Sequence, residues 1–217
     1  MVTNDRYDLV RRAVASFQGQ SYQNRELVIV GEGSERLRDF VLSLEDPRIV
    51  YHTAPTPGMT LGQLRNHTLD LAQGEFVMQW DDDDWSHPAR ISLQMRALLD
   101  SHADMCIMIR QTHFLQERGV FAYSEKYLWE NTFLAQKSVM ARYPHERRGE
   151  DTRQLHSCLR AGAKLLVLNV PDLYIYTYHG NNTWDQAHFE EMFRRGTKDL
   201  LKSRTNYDRN ALTGSTL

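Results

Sequence analysis

Four consecutive carboxylates, Asp81-Asp82-Asp83-Asp84, are the most concentrated chemistry in the chain. Two carboxylates about 4 Å apart repel by about 4 kcal/mol at an effective dielectric near 20, so a run of four demands either solvent or a cation. Hard oxygen ligands suit Mg²⁺ or Mn²⁺, which would reverse the sign of that interaction. In an extended chain Asp81 and Asp83 point to one side and Asp82 and Asp84 to the other. Such a D-x-D pair offers two ligands on one face and leaves positions open for phosphate oxygens. The competing reading is a solvated acidic turn. Placement favours the metal: the run directly follows the apolar stretch Phe76–Trp80 and precedes Trp85, Pro88 and a helical pattern.

Two further groups carry chemistry. Glu150-Asp151 stands just ahead of a helix expected from Thr152, where a carboxylate either caps the helix or serves as a base held in place by the cap. His179 lies in the polar stretch Tyr176–Trp184. Imidazole can complete a Mn²⁺ site, although a lone histidine is more often a structural hydrogen-bonding group. Arg147-Arg148 could attract diphosphate or an anionic acceptor, although a solvated loop is the commoner reading of such a pair, and Tyr174, Tyr176 and Tyr178 alternate as one packed strand face.

The elements that must position these groups follow from periodicity. Apolar residues at helical spacing predict helices over Tyr7–Gln18, Glu35–Leu44, Leu61–Ala72, Ala89–His102, Thr152–Ala161 and Ala187–Lys202. Short apolar runs predict strands at Leu27–Val30, Ile49–Tyr51, Phe76–Trp80, Met105–Ile109, Leu165–Val170 and Leu173–Tyr178. Residues 111–148 have weak periodicity. The alternation predicts an α/β fold with a mostly parallel sheet flanked by helices, and ligands of such sheets gather at the carboxyl ends of the strands. Met1–Thr3 is short for a strand, which suggests an excerpt of a longer polypeptide.

Composition narrows the class. With 217 residues the chain fits a single domain. Its 26 Lys and Arg against 28 Asp and Glu leave no basic field for nucleic acid. Cys106 and Cys158 lack metal-ligand spacing and fit a reducing, cytoplasmic setting. No apolar run is long enough to span a bilayer, and the N-terminus has no secretory h-region. Peripheral association with a membrane surface stays compatible with this.

Taken in order, the motifs resemble a family 2 glycosyltransferase of the GT-A fold. Val2-Thr3-Asn4-Asp5-Arg6 resembles the opening T-x-N-R stretch, and Gln20 to Val30 resembles Q-S/T-Y-x-N-x-E-L-I-V-V. Pro47-Arg48-Ile49, then Arg65-Asn66 with Ala72 to Phe76, then Asp81 to Pro88, then Gly149-Glu150-Asp151 continue the series in register. The resemblance implies an inverting enzyme that moves a sugar from a nucleotide diphosphate, a UDP-sugar by preference, to an acceptor hydroxyl on a sugar, glycan or lipid-linked carrier. It implies a nucleotide-binding half over residues 1–110 and an acceptor-side half over 111–205 of one domain, with 206–217 a flexible tail. On the donor it places Thr3, Asn4, Arg6, Glu32, Arg65, Asp81 and Asp82. It places the metal on Asp83 and Asp81 with His179, the general base on Asp151 with Glu150 beside it, and the acceptor near Trp129 and Glu130. One departure is Gly31-Glu32-Gly33-Ser34, where the family usually has Asp-Asp-Gly-Ser; Glu32 still accepts from a base N–H but with a longer reach. A catalytically silent nucleotide-sugar-binding module of a larger polymerase is the alternative, and the intact acidic pairs argue against it. A nucleotidyltransferase would carry a Gly-rich activation loop, and none is present.

Overall fold

A computed structural model describes residues 1–196. The tail expected over 206–217 and the end of the helix expected to reach Lys202 lie outside the described residues. Helix α1 (Tyr7–Gln18) buries Val10, Ala13, Val14 and Phe17, one stripe at helical spacing. Strand β1 (Leu27–Gly31) is buried throughout. Helix α2 (Glu35–Ser43) begins at Ser34, whose hydroxyl accepts from the Leu37 N–H at 3.3 Å. It leads to β2 (Ile49–Thr53), which pairs parallel with β1. Helix α3 (Leu61–Leu71) opens on a capping box between Thr60 and Gln63. Then come β3 (Phe76–Met78), β4 (Trp85–Ser86), α4 (Arg90–Ser101) and β5 (Met105–Met108). The weakly periodic stretch resolves into β6 (Thr112–Leu115), β7 (Val120–Tyr123) and β8 (Trp129–Gln136). It is followed by α5 (Glu150–Arg160), β9 (Leu165–Leu168), β10 (Tyr174–Tyr178) and α6 (Gln186–Arg195).

The α/β class holds, but the sheets are mixed where a mostly parallel one was expected. Strand β8 runs antiparallel to both β3 and β5, while β9 joins β5 in parallel. In the other four-stranded sheet β10 lies parallel to β6 and antiparallel to β4, and β7 completes a hairpin with β6. The direction of β8 depends on partners far away in sequence, which no local pattern encodes. The Met1–Thr3 strand is reduced to one bridge, Val2 to Val30. A cavity of about 780 Å³ is lined by residues of both β1 and β3, among them Leu27, Val28 and Phe76 to Met78.

The largest buried cluster joins α1, β1, α2 and α4 around Phe17, Ile29, Leu37, Trp80 and Leu98. A second cluster sets Leu155 and Cys158 of α5 against Met105, Ile107 and Phe133. Both cysteines are free and buried. Burial pushes the Cys106 thiol up to about 11 and raises that of Cys158.

One contact fixes the approach to the cleft. Gly62, in the first turn of α3, lies against the Pro144 carbonyl, and its N–H donates to Glu146 O at 3.1 Å. A β-carbon added there would stand 1.8 Å from the Pro144 oxygen. Gly62→Ala is therefore expected to lower the unfolding free energy by about 3 kcal/mol, the upper end for overpacking, since the obstacle is backbone. Urea unfolding checks this, and an unchanged midpoint would mean that the 144–146 strap yields freely.

Candidate active site

The acidic turn hangs from a pinned residue. Trp80 is buried, donates its indole N–H to Ala13 O at 3.1 Å and meets Phe17 edge to face at 5.9 Å. Beyond it the expected alternation appears: Asp82 and Asp84 are buried, and Asp81 and Asp83 are partly exposed. Asp84 accepts from the Thr177 N–H at 2.8 Å and from the Tyr174 hydroxyl. Tyr174 thus anchors the turn besides packing in the core. Asp82 accepts from both Nε and Nη2 of Arg6, and the same Nη2 reaches Asp83 Oδ2 at 3.0 Å. His179 places Nε2 at 3.2 Å from that Asp83 oxygen. Asp81 accepts from the Gln79 amide at 2.9 Å and lies 3.5 Å from Arg65.

These partners divide the four carboxylates. Burial, reinforced by Asp83 and Asp81, pushes Asp84 well above the usual carboxylate range. Burial and Asp83 push Asp82 up to about 6 even against Arg6. Burial also opposes the charge on Asp83, but His179 and Arg6 overcome it and hold that carboxyl below its usual value. Asp83 is the most firmly ionised of the set.

Arg65 connects this turn to the second acidic pair. Its Nη1 lies 2.9 Å from Glu150 Oε1 and 3.6 Å from Asp151 Oδ2, and donates to Gln79 Oε1 at 3.1 Å. Burial alone would weaken the guanidinium charge, yet Asp81, Asp151 and Glu150 outweigh it and raise its pKa. The neighbouring Asn66 holds the strap that leads to Glu150: its amide donates to Tyr143 O at 2.8 Å and accepts from the Tyr143 N–H at 2.9 Å. The Arg65-Asn66 pair therefore does two jobs, one electrostatic and one mechanical.

The start of α5 differs from the expectation. Gly149, at φ +69°, occupies the N-cap, and Glu150 and Asp151 are the first two helical residues rather than caps ahead of Thr152. Left-handed backbone suits glycine there, and both carboxylates gain from the helix N-terminus. Glu150 is 2% exposed and committed to Arg65. The Asp151 side chain is 26% exposed, with Oδ1 accepting from the Thr152 N–H at 2.9 Å.

A cleft of about 400 Å³ collects Arg6, Arg65, Asp81, Asp82, Asp83, Trp129, Glu130, Glu150 and Asp151. The remaining expected residues stand apart from its walls. Thr3 is buried and accepts from the Arg6 N–H at 3.3 Å, shaping the loop that carries Arg6. Asn4 and Glu32 are exposed. The loop beyond β1 is held instead by Asp5, which accepts from the N–H groups of Glu32 and Ser34 and from the Tyr51 hydroxyl. Its left-handed backbone, at φ 56°, is the conformation an Asn-Asp turn tolerates, and that was the available signal. Sequence reasoning also missed Gln79, Tyr127, Asn131, Tyr176 and Trp184, all of which line the cleft.

The donor set suits a hard divalent cation in kind: Asp81 and Asp83 bring carboxylate oxygens, and His179 brings a borderline nitrogen. Among the described residues no three His, Cys, Asp or Glu side chains form a metal-holding group by themselves. A cation here would need further donors from a ligand.

Mixed sheets between helices, with an acidic turn where β3 ends, define a chain of the GT-A architecture. The fold is similar to that of Staphylococcus aureus TarS residues 1–349 in complex with UDP-GlcNAc, with a TM-score of 0.69 and 16% identity, covering 84% of this chain and 58% of that one. The chain belongs to glycosyl transferase family 2, whose family model matches residues 1–157. It is 32% identical over 148 residues to WcaA of Escherichia coli K12, a protein assigned by name to glycosyl transfer in colanic acid biosynthesis. It is 26% identical over 151 residues to a GalNAc(5)-diNAcBac-PP-undecaprenol beta-1,3-glucosyltransferase of Campylobacter jejuni. Each match covers 66% of this chain and 47% of the relative, so the chain spans about half the length of these curated relatives. No helix among the described residues is long and apolar enough to cross a membrane.

Arg65 gives this site a direct test. Removing one partner of a buried ion pair typically costs about 3–5 kcal/mol. Arg65→Met is expected to cost about 3 kcal/mol in urea unfolding, at the lower end because the side chain keeps some solvent access. Arg65→Lys should cost less. Equal stability of all three proteins would show that the guanidinium is not what joins the two acidic groups.

Proposed function

We propose that the chain is an inverting, metal-dependent glycosyltransferase that moves a sugar from a UDP-sugar to an acceptor hydroxyl. The observation that carries this reading is the Arg65 bridge, which brings the acidic turn and the Glu150-Asp151 pair into one cleft. Family membership supports the transferase class, and the UDP-GlcNAc in the TarS structure supports the donor class by likeness. The name of the Campylobacter relative supports a lipid-linked or glycan acceptor, met by a cytoplasmic protein at a membrane surface.

The chemistry needs a proton removed from the attacking hydroxyl and a charge neutralised on the leaving diphosphate. Asp151 is the base: it is the more exposed carboxylate of the pair and faces the cleft, whereas Glu150 is spent on Arg65. The acceptor oxygen bonds to the anomeric carbon, the bond from that carbon to the diphosphate oxygen breaks, and the hydroxyl proton passes to Asp151. A single displacement of this kind inverts the anomeric centre. Asp83, Asp81 and His179 would hold Mg²⁺ or Mn²⁺, which supplies Lewis-acid neutralisation of the diphosphate when bound. Arg6 and Arg65 orient the carboxylates and present cationic charge to the donor phosphates.

Two measurements test the assignment. Asp151→Asn should reduce transfer by about 10²–10⁴-fold, the scale of a general base, while UDP affinity by calorimetry stays the same. Turnover that survives would take Asp151 out of the role. In Mn²⁺ titrations with UDP present, Asp83→Ala should abolish metal binding and His179→Ala should weaken it about tenfold, as loss of a ligand or its support does. An unchanged affinity in the histidine variant would confine His179 to its hydrogen bond with Asp83.

A further inference from the structure

Arg6 is misplaced by the local rules of helices. It stands at the N-cap of α1, where Ser, Thr, Asp or Asn is preferred and a cation is disfavoured, and its side chain makes no capping hydrogen bond. Its guanidinium is committed elsewhere. Nε and Nη2 close a fork on the two oxygens of Asp82. Nη2 also donates to Asp83 Oδ2 at 3.0 Å, and Nη1 donates to Asn181 O at 3.3 Å. Burial opposes the charge on Arg6, but Asp82 and Asp83 outweigh it and raise the pKa, so the group stays a cation.

The same oxygen of Asp83 has a second donor. The Asn181 N–H donates to His179 Nδ1 at 3.3 Å, so the neutral imidazole carries its proton on Nε2 and directs it to Asp83 Oδ2 at 3.2 Å. Asn181 thus ties both arms together, its carbonyl on Arg6 and its N–H on His179. In this arrangement Asp83 faces a full positive charge supplied by the chain itself. A divalent cation cannot come close to that oxygen while the guanidinium is on it, because like charges a few ångströms apart repel strongly. The geometry also shows which contact yields. Releasing Asp83 costs Arg6 one charge-assisted hydrogen bond, whereas releasing Asp82 would break the fork and strand a carboxylate that is 3% exposed. Arg6 lines the cleft, so the freed N–H is available to a phosphate oxygen, a partner that suits guanidinium geometry.

We propose that Arg6 is an internal counter-cation, which holds Asp83 until a divalent cation and a nucleotide diphosphate arrive and then moves only its Asp83 arm onto the phosphate. The proposal rests on the metal-dependent reading above. Before the donor binds, Arg6 keeps Asp83 in place and competes with the metal for it. Once phosphate takes over the arm, that competition ends, so nucleotide strengthens metal binding and metal strengthens nucleotide binding by the same factor.

Mn²⁺ titration of the full chain, followed by electron paramagnetic resonance against blanks of Mn²⁺ with UDP, tests this without requiring turnover. In the absence of UDP, Arg6→Met should bind Mn²⁺ about tenfold more tightly than the unaltered chain, the weight of one charge-assisted hydrogen bond that no longer has to be displaced. The sign is diagnostic, since mere damage to the turn would weaken the metal. Adding UDP should strengthen Mn²⁺ binding about tenfold less in Arg6→Met than in the unaltered chain. Should Arg6→Met fail to fold with Asp82 unpaired, a second pair of proteins decides. Asp82→Asn leaves Arg6 to Asp83 alone, and Asp82→Asn combined with Arg6→Met should bind Mn²⁺ about tenfold more tightly than Asp82→Asn. An affinity without UDP that does not rise when Arg6 is removed from a folded protein overturns the proposal, as does an undiminished effect of UDP. Mn²⁺ that binds the unaltered chain neither with nor without UDP overturns the metal-dependent reading, and the proposal with it.

Discussion

A single guanidinium holds the cleft together. Arg65 faces Asp81 on one side and Glu150 and Asp151 on the other, groups that are well separated in the sequence and would repel without it. Its burial is tolerable only because three carboxylates surround it, and their proximity is tolerable only because it is there. Helix α3 is built around this exchange. Gly62, one turn earlier, lets the 144–146 strap press onto the helix, and Asn66 locks Tyr143 from the next position. Position and charge are thus delivered by one short helix.

The acidic turn obeys a second constraint, the unequal treatment of like charges. Asp84 is turned inward onto Tyr174 and Thr177, where burial favours its neutral form. Asp83 is turned toward Arg6 and His179, where the charge is kept. Burial alternates along the turn, and adjacent aspartates therefore meet these two different fates.

The parts legible in the sequence were those with local signals. Apolar runs located β1, β3 and β5, periodicity located α1 and α3, and strict adjacency to a buried strand located the acidic turn. The start of α5 was misplaced because Gly149, not a carboxylate, makes the cap, and a glycine cap leaves no polar signature. Strand β8 could not be oriented because its two antiparallel partners are remote in sequence. Glu32 was sought at the donor site because it follows β1, but it is exposed, and Asp5 does the work of ordering that loop. Gln79 and Asn131 were passed over for another reason. Neutral amides gain their importance from burial and from the company they keep, neither of which composition or spacing records.

The two inward-facing thiols have a practical corollary. Cys106 and Cys158 are enclosed in the core, and Cys106 needs strongly alkaline conditions to form a thiolate. To maleimide and similar reagents the folded chain therefore presents an almost blank background. A fluorophore on a cysteine introduced at Trp184, an exposed side chain on the rim of the cleft, would report ligand arrival in native protein without first stripping out the resident sulfur.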